Sequence, residues 1–143
     1  MNRVMATGVF DLLHLGHIHY LRESKSLGDY MIVVVATDEM ARKNGKELIF
    51  SEDYRRNMVS SIRYVDDAII GNQGDIYKTV EQIKPDIITL GFDQSFNEKI
   101  IEEECLKRGL KVKVIRCSKF NSAEPTGTRY IKQKIMESKV IRN

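Results

Sequence analysis

The chain has 143 residues, of which 42% are hydrophobic, and its formal net charge is +3. This length predicts one domain over residues 1–143 with a single buried core, and the small net charge argues against a dedicated nucleic-acid partner. The longest apolar run, residues 31–36, is far shorter than the roughly 20 residues of a membrane span, so no membrane partner is expected. Because no signal-peptide pattern is present and the two cysteines form no CxxC pair, we expect a cytoplasmic protein with reduced cysteines.

Strand-like and helix-like segments alternate along the chain. Apolar, often β-branched runs predict five strands, over residues 4–10, 30–37, 67–70, 86–90 and 111–116. Helical segments lie between and after them: one from His17 to Leu27, one capped by Ser51, one ended by Lys84 and Pro85, one from Asn97 to Gly109, and one over residues 129–143. This order predicts an α/β fold of Rossmann-like type, in which helices cover both faces of a parallel five-stranded sheet.

The loops that follow the strands form the candidate site, because parallel sheets bind ligands at the carboxyl ends of their strands. Four loops qualify, over residues 7–16, 37–51, 91–97 and 118–128. The first loop carries the sequence TGVFDLLHLGH, and all three histidines of the chain fall at its end or just after it: His14, His17 and His19. A helix that begins near Gly16 would direct free amides and its positive dipole end at an anion there. Gly8 and Gly16 allow close approach of the backbone.

The stretch GVFDLLHLGH resembles the HxGH signature of the nucleotidylyltransferase superfamily. The resemblance implies that His14 and His17 bind the phosphates of a nucleoside triphosphate and stabilise charge on the α-phosphorus during in-line attack. It also implies that the surrounding residues contact the nucleotide, namely Gly8, Val9, Phe10, Asp11 and Gly16. Histidines three residues apart are also compatible with a metal site, but the sequence shows no further ligand cluster beyond Asp11.

Two later segments, SLGDYMIVVVATDE and YRRNMVSSIRYVDDAIIG, are similar to parts of two families within this superfamily, the glycerol-3-phosphate cytidylyltransferases and the archaeal FAD synthases. In these families a lysine after the second strand and arginines near the third help to hold phosphates. The matching residues are Lys46, Arg55 and Arg63. The resemblance therefore implies catalytic roles for Lys46 and Arg63 and a phosphate contact for Arg55.

The loop after the fourth strand distinguishes these two families. The stretch KPDIITLGFDQSFN resembles the archaeal FAD synthase pattern, whereas the cytidylyltransferases usually carry a Gly-Asp-Asp-Trp-like stretch at this place. The resemblance implies that Gly91, Asp93 and Gln94 contact the nucleotide. In the last loop, CSKFNSAEPTGTRYI departs from the cytidylyltransferase pattern, although Thr126 and Thr128 can still present hydroxyl groups to the phosphates.

Basic residues accumulate in the last predicted helix, from Arg129 to Arg142. We interpret the distal lysines as a solvated helix face, which is the usual role of such a run. The beginning of this helix stays open between a solvated face and a phosphate contact.

The sequence as a whole predicts an FAD synthase that transfers AMP from ATP to FMN. A divalent cation, Mg²⁺, Mn²⁺ or Co²⁺, is expected to bind mainly through triphosphate oxygens, and the resemblance implies a homodimer. Two alternatives stay open. One is a CTP-dependent cytidylyltransferase acting on glycerol 3-phosphate or another alcohol or sugar phosphate, and the other is a nucleotide-binding or flavin-sensing module without turnover.

Overall fold

A computed structural model describes residues 2–122, 124 and 127–138 of the chain. Its centre is a sheet of five parallel strands in the spatial order β3-β2-β1-β4-β5. The strands are β1 (Arg3–Gly8), β2 (Tyr30–Val35), β3 (Asp67–Ile70), β4 (Ile87–Leu90) and β5 (Lys113–Arg116). The predicted α/β, Rossmann-like class with a parallel five-stranded sheet is confirmed.

Six helices in the described residues connect or follow these strands, and most of them begin at a capping side chain. They are α1 (Leu15–Ser26), α2 (Asp38–Lys43), α3 (Glu52–Ser60), α4 (Ile76–Ile83), α5 (Glu98–Lys107) and α6 (Thr128–Glu137). Ser51 and Asn97 cap α3 and α5 as the sequence predicts. No described helix has the length and apolar content needed to cross a membrane.

Helix α2 was expected as part of a loop over residues 37–51, and this expectation was wrong. The Thr37 side chain caps its first turn by accepting a hydrogen bond from Met40 N. Acidic residues occupy the first turn of α2 and basic residues the last, an arrangement that complements the helix dipole. These local interactions stabilise a short helix that shows no apolar periodicity.

The core has two parts, one on each face of the sheet. Residues of α1 and α3, such as Leu21 and Val59, pack on one face. Residues of α4 and α5, such as Val80 and Ile101, pack on the other. Val4 and Met5 of the central strand β1 are fully buried in the two parts, because successive side chains of a strand point to opposite faces.

The strand order places a topological switch point between β1 and β4. From β1 the chain builds β2 and β3 on one side, and it then crosses to the other side to form β4 and β5. The connections that leave β1 and β4 at their carboxyl ends therefore diverge, and the crevice between them is where sheets of this kind bind ligands.

Candidate active site

The two histidines of HLGH form a reciprocal cap at the N-terminus of α1. His14 is the N-cap residue, and its Nδ1 accepts a hydrogen bond from Gly16 N at 3.1 Å. His17 Nδ1 in turn accepts from His14 N at 3.3 Å. The centroids of the two imidazole rings lie 3.8 Å apart. The spacing of the motif thus fixes both rings at one helix end that faces the carboxyl edge of the sheet.

This cap determines which nitrogen of each ring carries the proton. Because Nδ1 accepts a backbone N–H in both residues, the neutral rings carry their proton on Nε2. Burial lowers the pKa of His14. Burial, and secondly the nearby His14 imidazole, lowers the pKa of His17 to about 3. Both rings are therefore neutral at pH 7, and each offers an Nε2–H donor to an anion.

We expect the stability of the protein to depend on this neutral state. The unfolded His17 binds a proton below its ordinary pKa of about 6.5, whereas the folded His17 stays neutral down to about pH 3. The contribution of His17 is therefore fully present above pH 6.5 and is lost as the pH falls towards 3. In urea unfolding at pH 7.0, 5.5 and 4.5, the free energy of unfolding should fall more steeply for the wild type than for His17→Asn. Equal decreases in the two proteins would contradict the lowered pKa of His17.

The ring of Phe10 packs against the ring of His17. Its backbone is left-handed, with φ at 56°, its side chain is buried, and its ring centroid lies 5.4 Å from that of His17. A Cβ atom at Gly8 would lie 2.7 Å from this ring. The packing of Phe10 therefore requires glycine at position 8. The positive φ of Phe10 itself indicates backbone strain that the surrounding fold maintains.

Asp11 connects the first loop to the segment before α3. Its two carboxylate oxygens accept hydrogen bonds from Ile49 N and Phe50 N, both at 2.9 Å. The residue is 7% exposed. We expected Asp11 to contact the nucleotide, but its observed bonds instead hold the 44–51 loop against the histidine loop.

Arg55 has a similar connecting role. The residue is 1% exposed, and its guanidinium donates to Phe50 O at 3.1 Å, to Val9 O at 2.7 Å and to Asp38 Oδ1 at 2.8 Å. All three guanidinium nitrogens are thus engaged within the protein. These contacts favour a role for Arg55 in positioning the loop at Val9, and the expected phosphate contact stays a prediction.

Of the two lysines Lys46 and Lys132, the second contacts the histidine loop. Lys46 follows α2 and is exposed at the carboxyl edge of the sheet. Lys132 of α6 reaches Asp11, with 3.7 Å between Nζ and Oδ2, and it also donates to Glu47 O. Lys132 therefore departs from a purely solvated helix face, and the sequence offered no signal that separated it from its basic neighbours.

The loop after β4 carries Gly91, Asp93 and Gln94 to the switch point. Asp93 is exposed there, while the Gln94 amide donates to Thr7 O at 3.1 Å and accepts from Gly91 N at 3.0 Å. Arg116 at the end of β5 holds this loop by donating to Gly91 O, Gln94 O and Phe96 O and by pairing with Glu98. Sequence reasoning missed Arg116, since it resembles any strand-terminal arginine.

Arg63 is not brought to this site within its own chain. It is exposed in the connection between α3 and β3, which ends at Asp66, and Asp66 N donates to Met31 O at the beginning of β2. The segment therefore lies at the amino edge of the sheet, opposite the histidines. The catalytic role of Arg63 stays a prediction, and this topology does not support it within a single chain.

The last loop contributes one described contact to the site. The hydroxyl of Thr128, at the start of α6, donates to Leu12 O at 3.4 Å. Thr128 is thus placed beside the histidine loop, as the sequence suggested, whereas Thr126 lies outside the described residues. A phosphate contact by either threonine stays a prediction.

The described residues contain no group of three His, Cys, Asp or Glu side chains that could hold a metal ion. A cation that arrives with its own oxygen ligands on a triphosphate fits this donor set better than one held by a protein cage.

A parallel sheet with a switch-point crevice, beside a helix terminus that presents two neutral imidazole donors, defines a nucleotidyltransferase of the HxGH class. The chain belongs to the cytidylyltransferase-like family, whose model matches residues 5–140. This membership confirms the resemblance seen in the sequence.

Curated relatives are similar over nearly their whole length. The FAD synthase of Picrophilus torridus is 56% identical over 135 residues, which cover 94% of this chain and 96% of the relative. The FAD synthase of Aciduliprofundum boonei is 54% identical over 137 residues, with 96% and 92% covered. A crystal structure described as the lipopolysaccharide core biosynthesis protein from Thermoplasma volcanium GSS1 is 57% identical, with a TM-score of 0.83 over 85% of this chain and 99% of that one.

Proposed function

We propose that this chain is an FAD synthase that transfers AMP from ATP to FMN. The observation that carries the chemistry is the pair of Nε2–H donors fixed by the reciprocal cap of His14 and His17. The choice of substrates is supported by the near full-length similarity to two curated FAD synthases. We further propose that residues 1–143 act as one catalytic domain. A cytoplasmic location and a homodimer stay predictions.

The reaction forms one bond and breaks one bond. A phosphate oxygen of FMN attacks the α-phosphorus of ATP, the bond from that phosphorus to the bridging oxygen breaks, and pyrophosphate leaves. The FMN phosphate is already ionised at neutral pH and needs no general base. The Nε2–H groups of His14 and His17 stabilise the negative charge on the phosphoryl oxygens, because fixed donors cost no reorganisation during the reaction.

Other residues of the site supply positive charge and position. We propose that Lys46 and Lys132 neutralise the outer phosphates at the edge of the first loop, and that the N-terminus of α1 adds its dipole. We propose that the exposed carboxylate of Asp93 accepts a hydrogen bond from the nucleoside. A divalent cation bound together with the triphosphate would supply further charge neutralisation.

The test is pyrophosphate release with ATP or CTP, each combined with FMN or glycerol 3-phosphate. The assay is run with Mg²⁺, Mn²⁺ or Co²⁺, and once with EDTA. We expect release only with ATP and FMN, with FAD formed in equal amount and with no reaction in EDTA. The matched control is His17→Asn, which should bind nucleotide but form FAD about 10² to 10³-fold more slowly.

The other outcomes identify the alternatives. Release only with CTP and glycerol 3-phosphate would overturn the proposal in favour of a cytidylyltransferase. CTP consumption in a further assay with a sugar phosphate would instead fit the lipopolysaccharide description of the Thermoplasma volcanium structure. Flavin or nucleotide binding without pyrophosphate release under any metal would indicate a binding module that lacks turnover.

A further inference from the structure

The ladder between β1 and β4 ends earlier than the ladder between β1 and β2. β1 pairs with β2 as far as Gly8 and Val35, but it pairs with β4 only as far as Ala6 and Thr89. The next residue of β1, Thr7, has both of its main-chain polar groups bonded to side chains instead. The switch-point crevice therefore opens at Thr7.

Two side chains take the place of the next two ladder bonds. The Tyr20 hydroxyl accepts from Thr7 N at 3.1 Å and donates to Thr89 O at 2.8 Å. The Gln94 amide accepts from Gly91 N at 3.0 Å and donates to Thr7 O at 3.1 Å. Each direct bond between strands is thus replaced by two bonds through an inserted polar group, which increases the distance between the strands.

We propose that Tyr20 and Gln94 are positioning residues that set the width of the crevice between β1 and β4. The histidine loop follows Thr7 directly, and the loop of Asp93 follows β4, so this width fixes the distance between the two loops. A nucleotide with its phosphates at the histidines and its nucleoside at Asp93 must span that distance. The inference rests on the proposed function for the identity of this nucleotide, which is ATP.

The contacts around Tyr20 and Gln94 hold both side chains in place. Tyr20 is buried, and burial raises its pKa to about 12, so that the hydroxyl keeps its proton as a donor. The Ser24 hydroxyl bonds to Thr89 Oγ1 at 2.8 Å next to it. The Arg116 guanidinium holds the loop of Gln94 by donating to Gly91 O and Gln94 O. Neither Tyr20 nor Gln94 can therefore move without breaking several hydrogen bonds.

The test compares Gln94→Met and Tyr20→Phe with the wild type. Each variant keeps the volume of the side chain and removes its bridging polar group. We expect α,β-methylene-ATP, which cannot be cleaved at the reacting bond, to bind about tenfold more weakly by calorimetry in each variant. The KM for ATP should rise to a similar extent, while the KM for FMN stays within about twofold. A purely structural role would not separate the two substrates in this way.

Matched controls are Gln82→Met and Tyr77→Phe, both on α4 and away from the crevice. Amide exchange adds a readout independent of activity, since Gly91 N–H should exchange faster in Gln94→Met and Thr7 N–H faster in Tyr20→Phe. Because Gln94 is only half-buried, its variant keeps the test valid if Tyr20→Phe does not fold.

The outcomes separate this inference from the proposed function. Weaker nucleotide binding in Gln94→Met, with no FAD formed by the wild type, would support the proposed role of Tyr20 and Gln94 and overturn the FAD synthase assignment. If the wild type forms FAD and both variants bind nucleotide within about twofold of it, only the proposed role of Tyr20 and Gln94 is overturned. This holds whatever the amide exchange rates are.

Discussion

Replacing His17 with asparagine is expected to lower the kcat for FAD formation by about 10² to 10³-fold, the cost of removing one fixed donor to a developing oxyanion. The asparagine amide occupies the position of Nδ1, so it can still accept from His14 N and cap α1. It cannot reach the position of Nε2. The variant should therefore stay folded and lose the chemistry, as measured by FAD formation and by circular dichroism.

His17→Gln is the complementary variant. Its longer amide reaches the position of Nε2 but leaves His14 N without its acceptor. We expect it to be less stable than His17→Asn and yet more active. The control is His19→Asn, since His19 bonds to Ser118 Oγ at 3.0 Å and lies outside the cap. Equal activity of His17→Asn and the wild type would show that the Nε2–H donor takes no part in the reaction.

The sequence was sufficient for the sheet and for the histidine pair because both depend on local patterns. Apolar runs separated by capped helices predict parallel strands, and the HLGH spacing itself closes the reciprocal cap of α1. The strand ends differed from the prediction by at most two residues, and both ends of β3 matched it. α2 was missed, because its stability comes from a threonine cap and from charges that complement the helix dipole.

The roles of individual charged residues depended on tertiary placement that the sequence does not encode locally. Arg63 was expected at the site, but the connection before β3 returns to the amino edge of the sheet. Lys132 was one of several basic residues in a run, and only the position of α6 brings it to Asp11. Tyr20 could be read as an apolar residue of α1, since nothing near it in sequence reveals that β1 and β4 separate at its hydroxyl.

The buried guanidinium of Arg55 is expected to be a major stabilising group of the site. Arg55→Met removes three hydrogen bonds and leaves two partly buried carbonyl groups and the Asp38 carboxylate without this donor. We therefore expect the free energy of unfolding to fall by about 3 kcal/mol in urea denaturation. The control is Arg56→Met, the next residue of α3, whose guanidinium bonds only to its neighbour Asn57 among the described residues.

Arg55→Lys distinguishes positioning from phosphate binding. A lysine keeps the positive charge but cannot reproduce the three-way fork. If Arg55 held phosphate by charge, this variant would keep its stability and most of its affinity for ATP. A positioning role predicts that Arg55→Lys is nearly as destabilised as Arg55→Met.

A double-mutant cycle of Arg55→Met with Asp38→Asn provides a second test, because the Asp38 carboxylate pairs with Arg55 at 2.8 Å. The losses in the free energy of unfolding should be non-additive. Since the same guanidinium bonds Val9 O, the destabilised variants should also bind ATP more weakly, because the histidine loop loses its support.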